Sequence, residues 1–481
     1  MPVMIRDKSF YKYLLLLALP IMGQGLVSFG INITDNLMVG KLGEAAISGV
    51  YFGSQIQGFL TMLVGGIEGG MLILSAQYWG KRDVQSIRRI VSLAIRLSVI
   101  CGIIFFIASL LFAEPILRLF TGYESSMDMV IKEGVVYLQM ISFSFVCFSI
   151  SQLLITAMRS VESVRIGLYM SLLSFVGNII LNYILIFGFD PLNIRPMGVA
   201  GAALATTICR VMEMVIALFY VFKVDQVLNI QLKDFLHFNK RLFRSFMRVS
   251  LPVIGGQVVW SANMLCQSAI IGRMGANAAS AVSVSNMLFN LVYVGMMGLG
   301  SAVSIITGKT VGAGKFELMK QYAKTIQVLF LCAGVVCGAV IFTMRGFFVT
   351  LYDVGPETVH LAMQFMLVLS VTVIGTSYQA TCLSGLVKAG GDISFVFIND
   401  TIFVFLVVLP SAWIALNVLK APLWVVFLCL KSDQILKCFV AVVKINRFNW
   451  MKNLTKNSSS DNFEILTEET VKAPACDQKT E

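Results

Sequence analysis

The sequence predicts an all-α polytopic membrane protein, with twelve transmembrane helices in two six-helix lobes related by a parallel internal repeat. Of its 481 residues, 57% are hydrophobic and only 13% are charged, and the mean hydropathy is +0.82, outside the range of soluble domains. Its apolar runs reach about 20 residues, the length that a helix needs to cross a bilayer. A pattern of glycines and prolines also returns in the second half at a fixed spacing.

The repeat is clearest in residues 19–43, whose frame returns 232 positions later in residues 251–275. Glycine and proline set backbone conformation, so their recurrence indicates that both halves share one fold. An even number of spans precedes the second copy, so both halves enter the membrane in the same direction. The recurring positions include Leu19/Leu251, Pro20/Pro252, Gly23/Gly255, Gly40/Gly272, Gly43/Gly275, Gly66/Gly298 and Gly80/Gly312.

The apolar runs divide the chain into spans and domains. We expect an N-lobe (residues 1–222), a cytoplasmic linker (223–246), a C-lobe (247–446) and a disordered cytoplasmic tail (447–481), because composition turns polar at these points. The twelve spans are expected near residues 13–38, 46–77, 90–113, 132–157, 165–188, 197–222, 247–271, 280–308, 323–346, 357–385, 394–418 and 423–445.

The net charge of +11 is unevenly distributed over the connections between spans. Basic residues concentrate on one side, so the positive-inside rule places both termini in the cytoplasm of a multi-pass cell-membrane (plasma or inner membrane) protein. Topology and anionic lipid headgroups explain this charge, and we expect no nucleic-acid partner. The basic connections contain Lys81, Arg82, Arg88, Arg89, Lys233, Lys240, Arg241, Arg244, Lys309, Lys315 and Lys320.

The sequence contains no pattern typical of an enzyme or a metal centre. Nine of the ten cysteines lie in apolar spans without metal-ligand spacing, and the only histidines are His237 and His360. An intramembrane enzyme requires a catalytic constellation at membrane depth, and no such set is present. We therefore expect neither an enzyme, nor a cofactor, nor a metal site beyond a possible monovalent Na⁺.

The best candidates for chemistry are polar side chains at membrane depth, where ionisable groups are costly. Asp35 is expected in the outer half of the first span, and Thr206 at similar depth in the sixth. Asn178 and Asn182, four residues apart on the fifth span, share one helix face. These oxygen donors suit a monovalent cation, and Asp35 is alternatively a proton carrier. For the two asparagines, a structural role in interhelical hydrogen bonding is as well supported as a role as ion ligands. Considered without the other three residues, Thr206 would be a helix-packing residue.

Four further charged residues are secondary candidates. Glu68 lies on the second span toward the cytoplasmic half, where a packing role and a cavity-lining role are equally compatible with its surroundings. Arg210 and Glu213, three apart on the sixth span, have the spacing of an ion pair. Asp433 and Lys437, four apart on the twelfth span, also have the spacing of an ion pair. For these pairs the sequence favours a structural role over a role in the chemistry of transport.

At these residues the chain resembles the multidrug and toxic compound extrusion (MATE) transporter family. The resemblance covers about residues 10–455, and no single motif would establish it. Its carriers are Leu19-Pro20 with Asp35, Met38-Val39-Gly40-Lys41-Leu42-Gly43, Ala76-Gln77 with Gly80 and Asp83, Asn178 with Asn182 and Gly188, Gly198 to Thr206, Lys388-Ala389-Gly390-Gly391-Asp392, and Trp450 to Thr455.

The resemblance implies a two-lobe exporter that exchanges Na⁺ or H⁺ for small organic, often cationic, amphiphiles, and that acts as a monomer among membrane lipids. It places the family's N-lobe cation site on Asp35, Asn178, Asn182 and Thr206. The chain departs from some relatives in two ways, because its seventh span has no acidic residue and position 182 is Asn rather than Asp. The alternative function is a flippase for a lipid-linked precursor, which would require a strongly basic cavity; Arg210 and Lys431 are the clearest basic candidates.

Overall fold

The fold is all-helical, as the composition predicts. A computed structural model describes residue 5 and residues 7–121, 127–189, 194–235, 239–352 and 354–455. Throughout these ranges the regular secondary structure is helical, apart from one isolated bridge between Phe189 and Ile194, and turns and irregular segments connect the helices.

The helices that correspond to the predicted spans are numbered α1 to α12. Eleven of them, among the described residues, are long and apolar enough to cross a membrane. They are α1 (Lys8–Gly40), α2 (Glu44–Gly80), α3 (Val84–Leu111), α4 (Asp128–Ser160), α5 (Arg165–Phe187), α6 (Val199–Val224), α7 (Lys240–Arg273), α8 (Ala276–Gly312), α9 (Phe316–Val349), α10 (Pro356–Lys388) and α11 (Ile393–Asn417).

The twelfth span, α12, consists of two helices, Leu423–Leu430 and Ser432–Asn446. They are separated at Lys431, whose backbone (φ −109°, ψ 7°) is not helical. A further short helix, Ala113–Thr121, lies between α3 and α4.

Two expected boundaries change at the ends of the lobes. α7 begins at Lys240 rather than near residue 247, because the Asn239 side chain caps it by accepting from the amides of Arg241 and Leu242. The segment 447–455 is also packed rather than disordered, since the indole of Trp450 is fully buried against the lobes. The rest of the expected tail, residues 456–481, lies outside the described residues.

The recurring glycines occupy equivalent places in the two halves. Gly43 and Gly275 precede α2 and α8 with φ of +105° and +101°, a left-handed conformation that only glycine adopts without strain. Gly66 and Gly298 are helix-packing positions that leave no room for a side chain. A Cβ on Gly66 would lie 2.7 Å from the Cα of Ile254, and one on Gly298 would lie 2.8 Å from the Cα of Met22.

These contacts reveal the symmetry of the molecule. Ile254 is the repeat equivalent of Met22, so α2 packs on α7 as α8 packs on α1. This pair of contacts fits a two-fold axis between the two halves, in which each contact has a symmetry-equivalent contact. This arrangement confirms the predicted parallel repeat of two six-helix lobes, which meet along α1, α2, α7 and α8.

Large apolar side chains on the outside of the lobes are exposed rather than buried. Examples are Leu111 and Leu406, of which 66% and 71% remain accessible. An apolar surface of this extent is incompatible with water but matches the hydrocarbon core of a bilayer. The chain is thus a multi-pass membrane protein.

Candidate ion-coupling site

The structure brings together three of the four predicted coupling residues. Asp35 lies near the end of α1, and Asn178 and Asn182 share one face of α5. The Nδ2 of Asn182 donates hydrogen bonds to Asp35 Oδ1 (2.5 Å) and to Asn178 Oδ1 (3.1 Å). The two asparagines are fully buried, while Asp35 is half-buried. A half-buried carboxylate thus adjoins a buried amide pair.

One oxygen at this site has no partner. Among the described residues, no group donates to the buried Oδ1 of Asn182. The amide cannot simply be reversed, because both neighbours of its Nδ2 are oxygen acceptors. A buried acceptor without a donor is unfavourable, so this oxygen is available to a cation, a water molecule or a proton donor. The arrangement offers carboxylate and amide oxygens, which are ligands for a hard monovalent ion.

The fourth predicted residue, Thr206, lies on α6 and is half-buried. Its hydroxyl donates to the carbonyl of Ala202 in its own helix (3.1 Å) rather than to the Asp35 cluster. Further along α6, Arg210 and Glu213 form the ion pair that their spacing predicts, with an N–O distance of 2.8 Å. The Arg210 guanidinium also lies 5.1 Å from the ring centre of Phe148.

Glu68 belongs to a separate polar network in the same lobe. Its carboxylate accepts from the hydroxyl of Thr156 and lies 3.7 Å from the guanidinium of Arg159. Arg159 in turn donates to the side chain of Gln24 on α1 (2.5 Å). The network therefore joins α1, α2 and α4. Gln24 was not predicted as part of a site, because its partner Arg159 lies on another helix, 135 positions further along the chain.

The second lobe has an amide where the first has its carboxylate. Gln267, the repeat equivalent of Asp35, donates to Asn263 Oδ1 (3.1 Å) and to the carbonyl of Leu430 (3.5 Å). Two other carboxylates of this lobe are paired with a lysine. Lys437 lies 3.3 Å from Asp433, as their spacing predicts, and 2.9 Å from Asp400 on α11.

Within the described ranges, His, Cys, Asp and Glu side chains do not assemble in groups of three or more that could hold a metal ion. The chemistry available at Asp35 is therefore that of one carboxylate with neutral oxygen donors. This set suits a single monovalent charge.

The fold and the site define a class of protein: two-lobe membrane transporters in which a polar site lies inside one helical lobe. The chain belongs to the MatE family, whose model matches residues 20–184 and 252–414. The two matched segments begin at Pro20 and Pro252, so each copy of the repeat is matched once.

Relatives and solved structures agree with this assignment. The chain is 24% identical over 411 residues to "Probable multidrug resistance protein NorM" of Halalkalibacterium halodurans, covering 84% of this chain and 87% of the relative. It is 22% identical to the NorM of Thermotoga maritima, covering 96% and 95%. The solved "Crystal structure of MATE in complex with MaL6" has a TM-score of 0.81 at 19% identity, covering 91% of this chain and 96% of the other, and so shares its fold.

Proposed function

We propose that this protein is a secondary active multidrug efflux transporter, which exchanges Na⁺ or H⁺ for cationic or amphiphilic organic compounds by alternating access. Its similarity to proteins called multidrug resistance proteins supports the substrate class. It acts as a monomer in the cell membrane with both termini in the cytoplasm. Its domains are an N-lobe that ends with α6 at Val224, a linker (225–239) and a C-lobe (240–446) that begins with α7 at Lys240.

The observation that carries this proposal is the contact between Asp35 and Asn182, with the unpartnered Asn182 oxygen beside it. An ionised Asp35 accepts from the Asn182 Nδ2, which leaves the amide oxygen free to help replace the hydration shell of a cation. A protonated Asp35 can instead donate its proton to that oxygen. The cation and the proton therefore compete for one set of oxygens.

The position of α1 explains how occupancy could bias access. Asp35 joins α1 to α5 within the N-lobe, while Met22 of α1 packs against Gly298 of the other lobe. A change in how Asp35 is held therefore acts on a helix that contacts both lobes. A ligand that favours one arrangement of α1 shifts the equilibrium between the two access states.

The basic side chains at membrane depth favour an exporter over a flippase. Arg210 is already paired with Glu213, and the Lys431 ammonium lies 5.7 Å and 5.8 Å from the ring centres of Phe289 and Phe427. These arrangements satisfy the charges within the protein, rather than presenting them to a pyrophosphate headgroup.

The test is substrate-stimulated ion flux in proteoliposomes that contain the purified protein. A fluorescent organic cation is loaded, and an inward Na⁺ gradient and an inward proton gradient are imposed in separate experiments. One of the two gradients is expected to drive export, and dissipating it with an ionophore should stop transport. Export that is equal with and without both gradients would contradict ion coupling.

A further inference from the structure

The two lobes are tied together at the face where α2 and α8 end. There, each of two glycines lets its helix touch the backbone of the other. A Cβ on Gly80 would lie 2.1 Å from the carbonyl oxygen of Lys309, and one on Gly312 would lie 1.9 Å from that of Gln77. Lys309 of α8 crosses to the N-lobe and forms an ion pair with Glu162 in the turn between α4 and α5. Trp79 Nε1 donates to the same carboxylate (3.1 Å). This is the first crossing between the lobes.

The repeat supplies a second crossing. Gln77 on α2 is the equivalent of Lys309, and it reaches the corresponding turn of the C-lobe, between α10 and α11. Its Nε2 lies 3.3 Å from the carbonyl oxygens of both Ala389 and Lys452, and its Oε1 accepts from the amide of Leu454 (2.9 Å). Two of these three bonds are made to the chain that follows α12. The segment after α12 therefore forms part of the contact between the lobes.

This segment, residues 447–455, is here called the strap. Its first part is anchored in the C-lobe. The buried indole of Trp450 occupies the space where Gly390 has no side chain, because a Cβ there would lie 2.3 Å from the ring. The amide of Lys452 donates to the Gly390 carbonyl (2.7 Å), and its ammonium donates to Asp392 (2.7 Å).

The end of the strap lies on the N-lobe. Leu454 packs against the main apolar cluster of that lobe, and Thr455 is fully buried. The ammonium of Lys81, directly after α2, donates to the Thr455 carbonyl (2.6 Å). The strap thus begins on the C-lobe and ends on the N-lobe, so it crosses the boundary between the two lobes.

We propose that the strap holds this face closed, and that Leu454 and Thr455 leave α2 each time the lobes part there. The inference rests on the alternating access of the proposed function. Rocking of one lobe against the other cannot preserve contacts that span both. The Trp450 indole and the amide and ammonium of Lys452 make C-lobe contacts that can persist, whereas the Lys452 carbonyl would lose its bond from Gln77. The strap would therefore remain on the C-lobe and release only its contacts with α2.

The test follows exposure of Thr455 in the full chain. In a background without native cysteines, Thr455→Cys provides a thiol whose rate of reaction with a maleimide reports how often the strap end is released. Gln77→Ala removes the second crossing, and Glu162→Gln removes the charge of the first without touching the strap. If release and opening are one event, each substitution should raise the labelling rate about 5-fold or more.

Matched controls are Gln139→Ala and Glu114→Gln, which remove a glutamine hydrogen bond and an ion pair within the N-lobe (3.4 Å and 2.8 Å). Neither should change the labelling rate. An unchanged rate in Gln77→Ala would overturn the strap contact, and an increase in Gln77→Ala without one in Glu162→Gln would show that the strap frays independently of the lobes. Leu454→Pro, which lacks the amide that donates to Gln77, repeats the test should Gln77→Ala fail to fold. The assay uses no substrate or ion gradient, so its outcome is separable from failure of the proposed antiport.

Discussion

The side chains of Asn182 and Asp35 are joined by a hydrogen bond of 2.5 Å, which links α5 to α1 inside the N-lobe. Because of this bond, a change in the protonation or ion occupancy of Asp35 acts on both helices. Gln267, at the equivalent place in the C-lobe, cannot titrate and instead bonds to Asn263. At this pair of equivalent positions only the N-lobe residue is ionisable, and the predictions for ion coupling follow from that asymmetry.

The first prediction concerns the amide of Asn182. Asn182→Ala removes both the donor to Asp35 and the unpartnered oxygen, so ion binding should weaken. Hydrogen bonds to charged groups contribute about 1.5–3 kcal/mol, so the ion concentration that half-saturates export should rise about 10-fold or more. The control is Asn36→Ala, which removes an exposed amide bonded within α1 (2.8 Å) and should leave export unchanged. A half-saturating concentration that does not differ between the two variants would show that Asn182 is not a ligand.

A second prediction is that the C-lobe site takes no part in coupling. Gln267→Ala removes an amide that bonds only to Asn263 and Leu430 in the described structure. We expect the half-saturating ion concentration to stay within about twofold of wild type, measured in the same proteoliposomes as Asn182→Ala. A rise comparable to that of Asn182→Ala would reveal a second coupling site.

The third prediction is a pH dependence of stability at the strap anchor. Burial alone would raise the pKa of Asp392, but Lys444 and Lys452 at 2.6 Å and 2.7 Å outweigh it and hold the pKa below its ordinary value of 3.8. A lowered pKa contributes stability that is present above 3.8 and is lost as the pH falls through the still lower folded value. Compared with wild type, Asp392→Asn should therefore lower the free energy of unfolding by about 2 kcal/mol at neutral pH.

The measurement is thermal unfolding of both proteins in detergent across the acidic range. The difference in melting temperature should be constant above about pH 5 and shrink below it. Glu317→Gln serves as control, since its ion pair with Lys320 is exposed and should contribute little. A difference that persists undiminished well below pH 3 would rule out titration of Asp392 as its cause.

Local rules explain what could be predicted from the sequence. The four-residue spacing of Asn178 and Asn182 places both on one helix face wherever the helix lies, and the recurring glycines mark contacts that need close backbone approach. The relation of Glu213 to Arg210 is of the same kind. These features depend on helix geometry alone, so they required no knowledge of how the helices pack.

The features that could not be predicted depend on packing between distant segments. The bond between Gln24 and Arg159 requires the position of α1 beside α4, which hydrophobic periodicity does not encode. The strap was expected to be part of a disordered tail because its composition is polar. The indole of Trp450 packs against Gly390, 60 residues earlier in the chain, and this contact anchors the segment.

The most direct test of the account is gradient-driven export by Asp35→Asn. The substitution keeps the shape and hydrogen-bonding capacity of the side chain but removes its charge and its proton. At matched expression and folding, export driven by the coupling ion should fall to the level of empty liposomes, while Asp128→Asn, which removes an exposed carboxylate paired with Arg118 at 3.5 Å, should export normally. Export by Asp35→Asn at the wild-type rate would contradict the central claim that this carboxylate couples the ion to transport.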